Sequence, residues 1–69
     1  MITYEAFKKM LIENVIKNGD YTEADGDFDK WWKAHNGEVY AKDGFEMVQK
    51  RGYTPAQGVS AAGWNIFMS

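Results

Sequence analysis

The stretch "TYEAFKKMLIENVIKNG", residues 3–19, decides the fold class of this chain. With about 100° between successive residues, its apolar side chains fall on one broad face, which predicts an amphipathic helix over residues 3–18. Thr3 is a suitable N-cap, and Asn18-Gly19 is a natural end because glycine adopts positive φ freely. The apolar face consists of Tyr4, Phe7, Met10, Leu11, Ile12, Val15 and Ile16.

A second helix is predicted from about Asp27 to His35. Its aromatic residues recur at i, i+3, i+4 and i+7, so they share about a third of the helix circumference. Because one small core has little room for two indoles, we expect one tryptophan in the core and the other partly exposed. The alternative is that the stripe lies entirely in the core, because small domains rely on aromatic residues to fold. The aromatic stripe consists of Phe28, Trp31, Trp32 and His35.

Two further helices are indicated by start signals. Asp43-Gly-Phe-Glu46 has the form of a capping box, which predicts a short third helix through Arg51, with residues 38–42 as a connection or a helical turn. Thr54-Pro-Ala-Gln57 combines an N-cap threonine, a proline at the first helical position and a capping glutamine. Small residues follow in the fourth helix and permit close packing. The apolar tail "WNIFM" must fold back onto the core or face a partner.

These segments predict an all-α fold, a compact single domain over residues 1–69 with three to four short helices. The alternative is an α+β fold with a small hairpin near residues 33–41, because Asn36-Gly37 also favours a tight hairpin turn. A chain of 69 residues has no room for a second core.

Composition excludes several classes of protein. The chain has no cysteine, so disulfides and thiolate metal sites are ruled out, and a reducing compartment is favoured. The beginning "MITYEAFKK" does not follow the pattern of a signal peptide, and no apolar run approaches the ~20 residues of a membrane span. We therefore expect a cytoplasmic protein without membrane contact.

The acidic stretch "EADGDFDKWW", residues 23–32, has the composition of a calcium loop but not its register. If Gly26 is the glycine at position six, Tyr21 and Trp32 occupy the first and last positions, which need an acid and a bidentate glutamate. A weak divalent-cation site in loop 23–29 remains one hypothesis. The other interpretation is that Asp25 or Asp27 caps the second helix and the remaining acids favour its positive end.

The residues that enzymes use are scarce here. His35 is the only histidine, and no cysteine or second histidine is present to complete a nucleophile–base pair. His35 is therefore interpreted as a packed or dipole-stabilised side chain near a helix end. We expect no enzymatic activity and no cofactor.

Residues 42–60 have the general form of a helix-turn-helix, two helices joined by a turn that contains glycine. The second helix, however, offers Gln57 and Ser60 but no basic side chain, while Lys50 and Arg51 lie on the first. Nucleic-acid binding through this segment is an alternative that the low positive charge disfavours.

The preferred hypothesis is a small module that binds another protein and modulates it, as an inhibitor or adaptor. Short, cysteine-free, aromatic-rich accessory proteins of phages and mobile elements fit this description, and self-association is compatible with it. Acids would steer the encounter and an exposed indole would anchor it. The candidate partner-binding residues are Glu23, Asp25, Asp27, Asp29, Trp31, Trp32, Tyr40 and Tyr53.

Overall fold

Helices make up all of the regular structure. The computed structural model describes all of residues 1–69. Its helices are α1 (Tyr4–Lys17), α2 (Phe28–Ala34), α3 (Gly37–Lys50) and α4 (Pro55–Met68), with a single 3₁₀ turn at Glu23–Asp25 before α2. No strand forms, so the all-α prediction is confirmed and the hairpin near residues 33–41 is wrong.

The caps read from the sequence at α1 and α4 are present. Thr3 Oγ1 accepts a hydrogen bond from the backbone N–H of Ala6 at 3.1 Å, and Gly19 adopts a φ of 79° just beyond α1. At α4, Thr54 Oγ1 accepts from the Gln57 N–H at 3.2 Å, while Gln57 Oε1 accepts from the Thr54 N–H at 2.9 Å. Each of these starts is specified within one turn of sequence, which is why local patterns predict them.

The core lies between α1, α3 and α4. From α1 it takes a stripe spaced by four residues, Phe7, Leu11 and Val15, each with no exposed area. The apolar face of α1 is broader than this stripe, because Met10 and Ile16 remain 38% and 50% exposed. The other buried apolar residues are Trp31, Trp32, Ala41, Val59, Ala62 and Ile66.

The closest approach of two helices is the crossing of α3 over α4 at Gly44 and Gly58. A Cβ built on Gly44 would lie 2.8 Å from the Gly58 carbonyl oxygen and 3.1 Å from Phe7 Cζ. A Cβ on Gly58 would lie 2.6 Å from Val48 Cγ2 and 2.9 Å from the Gly44 carbonyl oxygen. Neither glycine is in a positive-φ conformation, so both are required by proximity rather than by backbone geometry.

The start of α3 corrects one prediction. The third helix begins at Gly37 rather than at Asp43, so Asp43 lies in the middle of a 14-residue helix and caps nothing. Residues 38–42, predicted to be either a connection or a helical turn, are helical. Asn36 makes the break between α2 and α3 by adopting the left-handed conformation, with φ 56° and ψ 38°.

None of the four helices combines the length and the apolar character that a membrane span requires.

The crossing predicts opposite effects for two glycine substitutions in α4. Gly58→Ala should lower the free energy of unfolding, because overpacking costs ~1–3 kcal/mol and the gain in helix propensity is at most about 1 kcal/mol. Gly63→Ala is the matched control. Its Cβ would meet Asn14 Oδ1 at 3.3 Å, the end of a side chain that can move, and Leu11 Cδ1 at 3.9 Å, an ordinary van der Waals contact, so we expect a neutral effect or a gain.

Urea unfolding followed by far-UV circular dichroism measures both variants. If Gly58→Ala were as stable as Gly63→Ala, the close contact between α3 and α4 would be contradicted.

Candidate functional site

Two carboxylates of the acidic loop before α2 accept hydrogen bonds from backbone N–H groups of the same segment. Asp27 Oδ2 accepts from the Lys30 N–H at 3.1 Å and caps α2, as the capping interpretation predicted. Asp25 Oδ2 accepts from the Thr22 N–H at 2.8 Å. Both carboxylates therefore serve local structure, and Asp29 lies in the first turn of α2, where the helix dipole favours a negative charge.

The loop does not assemble a cation cage. No group of three or more histidine, aspartate or glutamate side chains comes together in an arrangement that could hold a metal ion. The four acids Glu23, Asp25, Asp27 and Asp29 are all exposed. The geometry therefore gives the divalent-cation hypothesis no support.

Both tryptophans of α2 are buried, so the expected exposure of one of them is wrong and the alternative, a stripe that lies in the core, is correct. Trp31 and Trp32 are each only 8% exposed. Trp32 fits because Gly37 has no side chain; a Cβ there would meet the indole ring at 2.2 Å. Trp31 packs edge-on against Tyr21, with ring centroids 5.3 Å apart. The aromatic stripe is thus part of the core, and neither indole is available as a surface anchor.

His35 connects the end of α2 to the end of α4. Its Nδ1 lies 3.0 Å from the Ile66 carbonyl oxygen in the last turn of α4, which also accepts from the Ser69 backbone N–H at 3.2 Å. Since a carbonyl only accepts, Nδ1 carries the proton. The imidazole also packs on Trp31 with centroids 4.6 Å apart. His35 is a packed side chain at a helix end, as its position in the sequence predicted.

A polar cluster centred on Glu38 ties α1, α2 and α3 together. Lys8 Nζ donates to Glu38 Oε1 at 2.7 Å, and the Tyr4 hydroxyl donates to Glu38 Oε2. Lys8 Nζ also lies 5.8 Å from the centroid of the Trp32 ring. The indole Nε1 of Trp32 is buried and makes no hydrogen bond of normal geometry.

These contacts shift two pKa values in opposite directions. The hydrogen bonds from Lys8 and then Tyr4 lower the pKa of Glu38. Burial, followed by the hydrogen bond to Glu38, raises the pKa of Tyr4 well above its ordinary value. Because the Lys8 and Glu38 side chains are 34% and 42% exposed, the ion pair contributes about 1 kcal/mol or less. All four side chains have a structural role.

The two candidate tyrosines lie apart from each other. Tyr40 is half-buried against the core from α3, near α2. Tyr53 is 40% exposed in the connection after α3, with about 15 Å of helix between them. The eight residues proposed from the sequence therefore do not form one surface. Whether any of them contacts a partner stays a prediction.

The largest exposed aromatic side chains lie on α4 instead. Trp64 is 64% exposed, Phe67 is 55% exposed and Met68 is 63% exposed, whereas Ile66 between them is fully buried. The Trp64 and Phe67 rings lie together, with centroids 6.3 Å apart. The apolar tail thus packs on the core with one side, as one of the two expectations had it, while its other side is exposed.

A groove runs beside these aromatic residues, between α1 and α4; we call it the α1/α4 groove. It consists of two depressions that share Asn14 and Ser60. The depression of about 270 Å³ is lined by Asn14, Asn18, Asp20, Ser60, Gly63, Trp64 and Phe67. The depression of about 370 Å³ is lined by Met10, Glu13, Asn14, Lys17, Ala56, Val59 and Ser60.

The two walls of the groove differ in charge. Helix α4 contains no charged residue, so its wall offers small and apolar side chains. The opposite wall carries Glu13 and Lys17 of α1 and Asp20 just beyond it, together with two amides, with Asn18 Nδ2 donating to Asn14 Oδ1 at 3.1 Å. An apolar centre with a charged margin is the ordinary anatomy of a protein–protein interface.

Helical spacing could have located this surface in the sequence. Trp64 and Ile66 are two residues apart, which is about 200° around a helix, so both cannot enter one core. Phe67 and Met68 lie three and four residues from Trp64 and share its side.

No family model, curated protein or solved structure matches the chain.

The Glu38 cluster predicts a stability that depends on pH. A carboxyl group whose pKa is lowered by folding stabilises the fold above its ordinary pKa of 4.5, and this contribution is lost as the pH falls through the lowered value. The melting temperature of the wild type should therefore fall below pH 4.5 more steeply than that of Glu38→Gln. Parallel pH dependence of the two proteins would show that Glu38 is not linked to folding.

The exposure of Trp64 predicts the fluorescence of the protein. In dilute solution, Trp64→Phe should remove most of the emission that acrylamide quenches, because the two remaining indoles are buried. Trp31→Phe should keep the quenchable emission and lower the stability. Unchanged quenching in Trp64→Phe would contradict the exposed position of this indole.

Proposed function

We propose that this protein is a non-enzymatic binding module that holds an apolar segment of a protein partner in the α1/α4 groove, with Trp64 as the anchor. The observation that carries the proposal is the contrast among the three tryptophans. Trp31 and Trp32 are 8% exposed, whereas Trp64 is 64% exposed at the edge of a groove. Tryptophan is among the residues that dominate the energy of protein interfaces.

The shape of the groove supports a helix or an extended strand of chain as the bound segment. Ala56 and Ser60 lie one turn apart on the α4 wall, and their small side chains let a partner backbone approach closely. Amphipathic helices bind in grooves of this kind through apolar residues spaced by three and four positions. Glu13 and Lys17 on the opposite wall can pair with charges on the margin of such a segment.

A protein that binds a partner without catalysing a reaction can act as an inhibitor or an adaptor, and this is the biological role that we propose. The absence of cysteine from the sequence is in keeping with action in the cytoplasm. Nucleic acid is a weaker proposal, because α4 offers no cation to a phosphate backbone.

The experiment is affinity capture from the native host with three tagged baits: wild type, Trp64→Ala and Val39→Ala. Val39 is 59% exposed but lies outside the groove, so it controls for the loss of any exposed apolar side chain. A protein retained by the wild type and Val39→Ala should be depleted about tenfold or more by Trp64→Ala, as expected for a binding hot spot. Circular dichroism checks that all three baits are folded.

Equal retention by Trp64→Ala would mean that the groove is not the binding site. Untagged copies of the chain itself are counted among the retained proteins.

A further inference from the structure

We infer that the partner in the α1/α4 groove is a second copy of this chain, bound by a two-fold axis that passes near Ser60 and Asn14. The inference rests on the proposed use of the groove as a protein-binding site, and it names the occupant. It is carried by the self-complementary shape of α4, by the order of charges on α1 and by the area that a stable contact needs.

The exposed stripe of α4 has its small and large residues at opposite ends. Ala56 and Ser60 lie in the first half, and Trp64 and Phe67 lie in the second. If a second α4 is laid antiparallel with Ser60 facing Ser60, Trp64 of one copy comes opposite Ala56 of the other. Trp64 then meets Ala56 at both ends of the contact, which is the pairing that an interface using the same patch twice requires.

The depression beside Ala56 has room for an indole. Its volume is about 370 Å³. A cavity of ~150 Å³ in another protein accommodates benzene, so the larger hollow can take the bicyclic ring of Trp64 from the second copy. Asn14 and Ser60 line both depressions. A two-fold axis near them therefore brings the depression beside Ala56 of one copy opposite the depression beside Trp64 of the other. Each copy thus supplies one aromatic end and one hollow.

The charges beside the stripe are compatible with this arrangement. Helix α4 has no charged residue, so two copies of it approach without like-charge repulsion. Helices α1 and α4 run in the same direction along the groove. An axis that makes the two α4 helices antiparallel therefore makes the two α1 helices antiparallel as well. Glu13 precedes Lys17 by one turn, and reversal brings Lys17 of one copy toward Glu13 of the other. Opposite charges at the margin favour this register over a parallel one.

The size of the molecule limits the contact area. The molecule measures 36 × 18 × 18 Å, so even its whole long face, roughly 650 Å² in projection, is smaller than the ~800 Å² per partner of a standard interface. The α4 stripe alone is too narrow, and both walls of the groove must take part. We therefore expect a reversible dimer whose population depends on concentration.

Sedimentation velocity and light scattering over a concentration series test the inference. The wild-type mass should rise from 7.9 kDa toward twice that value, and acrylamide quenching of Trp64 should decrease over the same range. Trp64→Ala should weaken association by about tenfold or more, in line with a hot-spot anchor.

A charge exchange at Ser60 tests the two-fold axis itself. Ser60→Glu and Ser60→Lys, each alone, place like charges face to face and should be monomeric, whereas an equimolar mixture should form a mixed dimer. Val39→Glu is the matched control; Val39 is exposed outside the groove, so this variant should associate like the wild type. Only a residue that faces its own copy produces this rescue by mixing.

The remaining outcomes separate this inference from the proposed function. A wild type that stays monomeric up to millimolar concentration overturns the second copy as occupant; if it still captures another protein through Trp64, the binding module survives with a different partner. Dimers that persist unchanged in Ser60→Glu use another face, and they overturn the inference. A mixture of the two Ser60 variants that stays monomeric contradicts the proposed axis.

Discussion

The contact on which the rest of the structure depends is the crossing of α3 and α4 at Gly44 and Gly58. Each glycine sits where a side chain would meet the backbone carbonyl of the other. Phe7 of α1 reaches both of them, since its ring atoms would lie 3.0–3.1 Å from a Cβ at either site. One contact of three helices therefore fixes the arrangement of α1, α3 and α4, and a chain with little core area gains the close packing that it needs.

This crossing also determines which side of α4 is left for a partner. With Gly58, Ala62 and Ile66 turned toward the core, the opposite side of the same helix must point outward. That side carries Trp64 and Phe67 and no charge. Single exposed apolar residues are common and need no explanation. A tryptophan and a phenylalanine that adjoin a groove with small residues along its wall form a contiguous surface, and the proposed binding site rests on this continuity.

Sequence patterns predicted those elements whose signals are local. The stripe of α1, the threonine caps and the box at Thr54 follow from residues within one or two turns of each other. The start of α3 was predicted wrongly because Asp43 and Glu46 have the spacing of a capping box although both lie inside the helix. Gly44 between them serves a contact with α4, which lies far away in sequence. A glycine that is needed for close approach and a glycine that ends a helix look the same in the sequence; only the packing partner distinguishes them.

The proposed binding site lies on α1 and α4 rather than on α2, where the sequence predicted it, and the reason is related. Placing one indole of α2 at the surface assumed that the core has no room for both, but Gly37 lets Trp32 lie over the start of α3 while Trp31 packs against Tyr21 and His35. The division of the three tryptophans into two that stabilise the fold and one that is free follows from that detail. A marginally stable domain that leaves its third indole in water forgoes burial worth roughly 2–3 kcal/mol. An occupant that covers both Trp64 and the hollow beside Ala56 recovers this burial, so binding at the groove also stabilises the fold.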